Sequence, residues 1–261
     1  MRRSVMSKLS YTSSRLRSGL IFAPLYGLTT AAYGLVSMAC SRFDESGARQ
    51  HRVAQAWARM LLRLGGIHVK VEGLAHLMPG PKVIICNHLS YMDVPVLFAV
   101  LPLQFRILAK QGLFKIPFLG GHLRRAQHLA VDQSNPRASM RSLHQAAAAV
   151  AAGLPLFIFP EAGRSFSGAM QPFVPGAFFI AIQAQVPIVP IVLVGTYEIL
   201  QPTTAHLRPG RVQLLIGPPI STAGLTRHDA TALAQQLHDQ MAATYAAHGN
   251  STTAPGTIRR R

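Results

Sequence analysis

The stretch VIICNHLSYMDVPVLFAV, residues 83–100, decides the fold class. An apolar, β-branched run ends abruptly at Asn87 and His88, and a second apolar run follows Asp93. This pattern predicts a buried strand over 82–86, a polar turn, and a helix over 90–101. In α/β proteins, sites collect where buried strands end and lead into helices. His88 and Asp93 are therefore candidate functional residues.

The order of short apolar strand, polar loop and helix repeats along the chain after Gly65 and Gly66. Strands are predicted at 67–73, 82–86, 105–109, 128–131, 154–159, 188–194 and 211–217. Helices are predicted at 90–101, 117–125, 136–152, 173–185 and 226–247. Because strands alternate with helices and most strands are apolar throughout, the pattern indicates an α/β fold with a mixed, largely buried β-sheet flanked by helices.

The composition excludes some classes of protein. Of the 261 residues 49% are hydrophobic and 13% are charged, which is too apolar for a disordered chain. The 26 Lys and Arg residues against 9 Asp and Glu give a net charge of +17, which indicates an anionic partner. No zinc-finger, helix-turn-helix or basic–aromatic pattern is present. The expected partner is therefore an anionic membrane surface, and nucleic acid is not expected.

The N-terminal segment 18–41 carries no charged residue, and basic residues precede it. As a helix it would reach about 36 Å, enough to cross a bilayer core. If the segment spans with its basic residues in the cytoplasm, the rest of the chain lies outside the cell. This conflicts with reduced cysteines and a cytosolic reaction, so a helix seated in one leaflet is the alternative. The helical pattern over 49–64, with arginines between apolar positions, fits either a membrane-surface helix or a core-packing helix. The predicted location is the cytoplasmic face of the cell inner membrane.

The cysteines and the composition shifts indicate the compartment and the domain organisation. Cys40 and Cys86 show neither metal-ligand spacing nor a disulfide framework, so reduced thiols and no metal site are expected. Three regions are predicted. Residues 1–65 form membrane-seating helices, residues 66–249 form the α/β domain, and residues 250–261 form a disordered basic tail.

The spacing of His88 and Asp93 suits acid–base chemistry. At the exit of a strand, the carboxylate in the first helical turn can fold back toward the imidazole, fix its tautomer and stabilise its protonated form. Ser90 is then predicted to be the N-cap of the helix. A structural role fits equally well at this point, in which Asp93 caps the helix and His88 is a hydrogen-bonded buried ring.

Two further stretches carry charge at predicted strand exits. FIFPEAGRSFSG, residues 157–168, places Arg164 beside Gly163, and this combination suits phosphate because arginine offers a fork of donors. A local ion pair between Glu161 and Arg164 is the alternative. LAKQGLFKIPFLG, residues 108–120, places Lys110 at a strand exit, where it could meet phosphate or lie in solvent.

In this order, NHLSYMD (87–93), FPEAGRS (159–165) and VPIVPI (186–191) resemble the motifs of the glycerophospholipid acyltransferases, specifically the 1-acylglycerol-3-phosphate O-acyltransferase family. The resemblance runs from about Trp57 to Ile220. It implies that His88 is the general base on the acceptor hydroxyl and that Asp93 orients it. It also implies an acceptor-binding site formed by Lys110, Glu161, Gly163, Arg164 and Ser165.

The resemblance further implies that acyl transfer to 1-acylglycerol-3-phosphate yields phosphatidic acid. The donor would be acyl-coenzyme A or acyl carrier protein, and no cofactor would take part. Another lysolipid or an aminolipid acceptor is the alternative, and a non-enzymatic membrane-binding or nucleic-acid-binding protein is a third hypothesis. Two departures from the family pattern bear on the acceptor. Gln133 replaces a frequent arginine, and Val174 replaces a frequent lysine. The third motif also has Ala162-Gly163 where Gly-Thr is usual.

Overall fold

The protein is described from a computed structural model, which covers residues 12–44, 46–116 and 119–252. Seven strands in these residues form one sheet, in the order β1-β7-β6-β2-β5-β3-β4. The strands are β1 Ile67–Glu72, β2 Val83–Cys86, β3 Arg106–Lys110, β4 Leu129–Val131, β5 Leu156–Ile158, β6 Ile188–Val194 and β7 Gly210–Ile216. Every predicted strand is present close to its predicted position, and the predicted mixed α/β sheet is confirmed.

The sheet is mostly parallel. Strands β6, β2, β5, β3 and β4 run in one direction, whereas β7 is antiparallel to β6 and pairs in parallel with the edge strand β1. The carboxyl ends of β2, β5 and β3 therefore meet at one edge of the sheet. This edge carries the polar sequences that follow the three strands.

Helices cover both faces of the sheet. They are α1 Thr12–Cys40, α2 Ala48–Gly65, α3 Asp93–Val100, α4 Leu119–Arg125, α5 Pro136–Ala151, α6 Gly176–Ala184, α7 Thr196–Ile199 and α8 Ala230–Thr252. Helices α5, α6 and α8 pack on the face that includes Val83 and Ile85, and α2 and α3 pack on the face that includes Ile84 and Cys86. Because alternate residues of β2 enter different cores, the whole strand is apolar and buried.

Local sequence signals set several helix boundaries. Asn135 caps α5 by accepting the N–H of Ala138 at 2.9 Å, and Pro136 follows it at the first helical position. Before α8, Thr226 and Asp229 form a reciprocal capping box. Helix α8 continues to Thr252, beyond the predicted end at 247. Residues 253–261 of the predicted basic tail lie outside the described residues.

The N-terminal helix α1 lies along the α/β body. It is long and apolar enough to cross a membrane by length and composition. Near its start, Ser14 Oγ lies 2.9 Å from His206 Nε2, and near its end, Ser37 Oγ lies 2.8 Å from His122 Nδ1. Its outer side exposes large apolar side chains, namely Leu16, Leu20, Ile21, Leu25, Leu28, Leu35 and Val36. The predicted N-terminal apolar helix is confirmed, and both of its ends contact the body.

Helix α2 shares its contacts between α1 and the core. Ala58 and Leu62 are buried in the same cluster as the strand residue Ile84. Trp57 Nε1 donates to Thr30 Oγ1 of α1 at 3.1 Å. The core-packing role expected for this helix is therefore present, and the exposed arginines lie on its other side. The predicted domain division after residue 65 stays a prediction.

Candidate active site

His88 and Asp93 lie together at the carboxyl end of β2. His88 Nδ1 is 2.8 Å from Asp93 Oδ2, and the same oxygen accepts the backbone N–H groups of Leu89 and Ser90 at 2.8 Å each. Asp93 is fully buried and His88 is 8% exposed. One carboxylate oxygen therefore fixes both the turn and the imidazole. Among the described residues, the carboxylate is the partner of the histidine and bonds to the turn before α3, and it accepts no N–H group of the helix itself.

The predicted N-cap role of Ser90 is wrong. Helix α3 begins at Asp93, and residues 91 and 92 form a turn before it. Ser90 Oγ instead accepts the N–H of Met92 at 3.0 Å and donates to the carbonyl of Leu200 at 2.6 Å. The hydroxyl thus ties the turn to the segment after α7. Sequence spacing could not reveal this contact, because Leu200 is 110 residues away.

The imidazole of His88 is held in one orientation. An ionised Asp93 accepts a hydrogen bond from Nδ1, so Nδ1 carries the proton and Nε2 keeps a lone pair. Phe159, which follows β5, stacks on the ring with a centroid distance of 3.8 Å and an interplanar angle of 17°. The ring is fixed by a hydrogen bond at one nitrogen and by packing on its face. This arrangement suits a general base acting through Nε2.

Asn87 is a site residue that the sequence analysis did not assign. It is completely buried, and its side-chain amide forms hydrogen bonds of the kind that the backbone of a neighbouring strand would form. Nδ2 donates to the carbonyl of Leu193 at 2.9 Å, and Oδ1 accepts the N–H of Leu193 at 2.7 Å. These bonds fasten the residue before His88 to β6. A polar residue that directly follows a buried strand was the signal that could have identified it.

Glu161 contacts the backbone of the His88–Asp93 dyad. Its Oε1 accepts the N–H of His88 at 2.6 Å and its Oε2 accepts the N–H of Gln171 at 2.8 Å. The side chain is 5% exposed. Burial raises the pKa of this carboxyl from 4.5 to about 7, against the lowering effect of the two N–H groups, and the charge of Asp93 adds to the rise. This geometry supports a positioning role for Glu161, and its predicted part in acceptor binding stays a prediction.

Arg164 does not form the ion pair with Glu161 that the sequence offered as an alternative to phosphate binding. No hydrogen bond or ion pair of Arg164 occurs within residues 12–44, 46–116 and 119–252, and its buried Nε has no partner there. Its guanidinium carbon lies 4.2 Å from the ring centroid of Tyr91. The alternative of a local ion pair is therefore wrong. No acceptor within the described residues therefore engages the donors of the guanidinium.

The residues beside Arg164 shape a tight turn. Ala162, not Gly163, has the left-handed conformation, with φ of 55°. A Cβ atom added at Gly163 would meet no atom within 4 Å, so open space adjoins this glycine. Ser165 is buried, and its N–H donates to the carbonyl of His88 at 2.9 Å. Ser165 thus joins the β5 loop to the residue that carries the imidazole.

The remaining predicted contact, Lys110, is exposed at the end of β3. Strand β3 lies next to β5, so Lys110 shares the edge of the sheet with His88 and Arg164. The uncharged positions Gln133 and Val174 are both exposed. Arg124 of helix α4 donates to the carbonyl of Phe114 at 2.6 Å. The structure therefore brings His88, Asp93, Glu161, Gly163, Arg164 and Ser165 together and places Lys110 one strand further along.

Metal ligands do not gather near this site. Among the residues that the structure describes, no group of three or more His, Cys, Asp or Glu side chains is placed to hold a metal ion. Cys40 and Cys86 are both free thiols.

Comparisons with known proteins identify the class. The acyltransferase family model matches residues 68–194, which contain the dyad and the Arg164 loop. The crystal structure of the 1-acyl-sn-glycerophosphate (LPA) acyltransferase PlsC from Thermotoga maritima has the same fold. Its TM-score is 0.70 at 22% identity, covering 87% of this chain and 97% of that chain. The fold and the His–Asp site thus define an acyltransferase.

Relatives in sequence identify the family within that class. The 1-acyl-sn-glycerol-3-phosphate acyltransferase of Saccharomyces cerevisiae is 30% identical over 249 residues, which are 92% of this chain and 82% of the yeast protein. The alpha form of Mus musculus is 34% identical over 181 residues, which are 68% of this chain. This chain covers 64% of that mouse protein and 64% of the Cocos nucifera relative. The chain belongs to the 1-acyl-sn-glycerol-3-phosphate acyltransferase family, as the resemblance of its motifs predicted.

Proposed function

We propose that this protein transfers an acyl group from an acyl thioester to the free hydroxyl of 1-acylglycerol-3-phosphate, giving phosphatidic acid. The observation that carries the proposal is the pairing of His88 with Asp93 beside Arg164, which contacts an aromatic ring and forms no ion pair within the described residues. A base and an anion-binding group then stand at adjoining strand ends, as a substrate with both a hydroxyl and a phosphate requires. The names of the relatives support the same acceptor.

The chemistry follows from the geometry of the dyad. His88 Nε2 takes the proton of the acceptor hydroxyl as its oxygen attacks the thioester carbonyl. The buried Asp93 stabilises the imidazolium that results, because its oxygen lies 2.8 Å from Nδ1. The tetrahedral intermediate then expels the thiolate, which takes the proton from the imidazolium. One ester bond forms, one thioester bond breaks, and no cofactor or metal takes part.

The acceptor phosphate is assigned to the β5 loop. Arg164 provides a planar fork of donors, which matches a phosphate better than a single ammonium group does. The open space beside Gly163 lets a ligand approach the backbone closely. Lys110, on the neighbouring strand end, adds positive charge at the same edge. The donor is acyl-coenzyme A or acyl carrier protein.

A second acceptor class is favoured by the departures from the family pattern. Gln133 and Val174 are uncharged where family members frequently carry a cation, so this site holds less positive charge than the pattern implies. Another lysophospholipid, or an aminolipid, would need less charge than a phosphate monoester. Acyl transfer from labelled acyl-coenzyme A or acyl carrier protein to a panel of lysolipids tests both proposals. Highest kcat/KM with 1-acylglycerol-3-phosphate supports the first, and preference for a different acceptor contradicts it.

The protein is further proposed to lie on the cytoplasmic face of the inner membrane with α1 seated in one leaflet. Both ends of α1 bond to the same α/β body, at His206 and His122, and about 34 Å of helix separates the two contacting serines. A spanning helix would have to release one of these contacts, since its ends would lie on opposite sides of the bilayer. The exposed apolar side of α1 and the basic surface of the chain favour an anionic lipid interface.

Protease accessibility in sealed right-side-out vesicles of the source cell tests this location. Protection of the region 60–260 from external protease is expected, with full digestion after the vesicles are opened. Digestion from the outside would contradict the cytoplasmic placement.

A further inference from the structure

Tyr91 and Arg164 reach each other from two separate loops. Tyr91 belongs to the turn between β2 and α3, and Arg164 belongs to the loop after β5. The guanidinium carbon lies 4.2 Å above the centroid of the tyrosine ring. Tyr91 is 50% exposed, so about half of its surface remains open to solvent beside this contact. The pair lies at the edge of the sheet that carries His88.

The position of Tyr91 is fixed by its neighbours. Ser90 Oγ is bonded to the carbonyl of Leu200, and the backbone N–H of Ser90 is bonded to Asp93. Met92, on the other side, is buried in the core. The ring therefore projects from a turn whose two flanking residues are both held by the fold.

Arg164 contacts this ring, and this contact can orient its side chain. Its side chain is long and has many rotamers, and ordering such a chain costs up to about 2 kcal/mol. Within the described part of the chain, neither a carboxylate nor a carbonyl accepts a hydrogen bond from it. An aromatic face attracts a guanidinium by about 0.5–2 kcal/mol and contacts the plane of the group. A guanidinium that contacts a ring through its plane can still donate hydrogen bonds from its edge.

We propose that Tyr91 is a positioning residue for Arg164 and that the stacked pair forms the seat for the phosphate monoester of the acceptor. The proposal rests on the acyl transfer proposed above. The ring holds the guanidinium plane, and the rim of the group donates to the phosphate oxygens. A planar guanidinium can do both at once, because stacking uses its face and hydrogen bonding uses its edge. The aromatic character of residue 91 is then a determinant of acceptor affinity.

The tyrosine hydroxyl is not needed for this role. Across residues 12–44, 46–116 and 119–252 it has no hydrogen-bond partner. Tyr91→Phe keeps the ring and Tyr91→Leu removes it at similar volume, so the two variants form a matched pair. Tyr91→Leu should raise the acceptor KM about fivefold, which corresponds to about 1 kcal/mol. The donor KM and kcat should change little, and Tyr91→Phe should keep the wild-type acceptor KM.

A double-mutant cycle separates positioning from direct contact. In an Arg164→Ala background, Tyr91→Leu should have no further effect on the acceptor KM, because the group that it positions is absent. An equal effect in both backgrounds would show that Tyr91 contacts the acceptor itself and would overturn the proposal. A loss in Tyr91→Phe as large as that in Tyr91→Leu would overturn it as well.

A binding measurement separates the seat from the reaction. sn-Glycerol 3-phosphate is titrated calorimetrically into the detergent-solubilised full chain without an acyl donor. About fivefold weaker binding to Tyr91→Leu, and unchanged binding to Tyr91→Phe, supports the seat even if turnover with 1-acylglycerol-3-phosphate is absent. That combination would refute the proposed function alone. Absence of binding to the wild-type protein, or equal binding to all three proteins, would overturn the seat.

Discussion

Replacement of Glu161 by glutamine tests the electrostatics beneath the dyad quantitatively. The carboxylate is 5% exposed and accepts the N–H groups of His88 and Gln171. Burial raises its pKa from 4.5 to about 7. At about 1.4 kcal/mol for each tenfold change in an equilibrium constant, ionising this carboxyl costs about 3 kcal/mol more in the folded chain than in the unfolded chain.

The cost depends on pH in a defined direction. Below about pH 4.5 the carboxyl is protonated in both the folded and the unfolded chain, and above about pH 7 it is ionised in both. The unfolding free energy of the wild type therefore falls as the pH rises from about 4.5 through about 7, because the unfolded chain ionises this group more easily. Glu161→Gln is neutral throughout. As the pH rises from about 4.5 to about 8, the unfolding free energy of the variant should therefore increase by about 3 kcal/mol relative to that of the wild type. This gain corresponds to about 6–12 °C in relative Tm.

The assay is thermal unfolding of the detergent-solubilised proteins across that pH range. Glu198→Gln, which removes an exposed carboxylate from α7, controls for the loss of one negative charge. A difference in Tm between wild type and Glu161→Gln that does not change with pH would refute the reasoning, since it would show that burial does not disfavour the charge.

Kinetics of the same variant distinguish positioning from substrate binding. The glutamine oxygen can accept one of the two N–H groups, but its amide nitrogen faces the other, a mismatch that costs about 1–3 kcal/mol. The loop that carries His88 should shift, and kcat should fall about tenfold or more with little change in the acceptor KM. A raised acceptor KM at constant kcat would instead support the predicted contact between Glu161 and the acceptor.

Substitutions at three further positions test separate parts of the site. Asn87→Ala leaves the backbone N–H and carbonyl of Leu193 without their buried partner, so the unfolding free energy should fall by about 2–6 kcal/mol; unchanged denaturant unfolding would contradict the strand-like role of this amide. Arg164→Lys keeps the charge but loses the planar fork, so the acceptor KM should rise with little change in the donor KM; equal changes for both substrates would argue for a structural role. Ala162→Gly relieves a left-handed alanine, so its Tm should equal or exceed that of wild type, whereas Ala162→Val should lower it; a clear loss of Tm in the glycine variant would contradict the backbone conformation.

The sequence predicted the sheet well because its strands obey a simple rule. Val83 to Cys86 are apolar on both faces, and such short runs between turn residues fit buried parallel strands. The position of His88 and Asp93 also followed from local spacing, since both lie on one strand–turn–helix unit. The predicted start of α3 is wrong, because the hydroxyl of Ser90 bonds to Leu200 and to the turn residue Met92 rather than to an N–H group of the helix.

Contacts between distant residues explain what the sequence could not predict. Asn87 pairs with Leu193, and Glu161 supports the backbone of His88, across 106 and 73 residues respectively. The contact between the Arg164 guanidinium and the Tyr91 ring likewise joins two loops that are far apart in the sequence. The composition of α1 allowed both a spanning helix and a leaflet-seated helix. The contacts of Ser14 and Ser37 at its two ends support the leaflet-seated arrangement proposed above.

Single-turnover acyl transfer by His88→Ala tests the central claim most directly. Removal of a general base typically lowers the rate by about 10²–10⁴-fold. The Asp93 oxygen retains the N–H groups of Leu89 and Ser90 in this variant, so the turn should stay folded. We predict a rate of acyl transfer to 1-acylglycerol-3-phosphate lowered by about 10²-fold or more, with a circular dichroism spectrum like that of wild type. A folded His88→Ala protein that transfers the acyl group at the wild-type rate would contradict the assignment of His88 as the base.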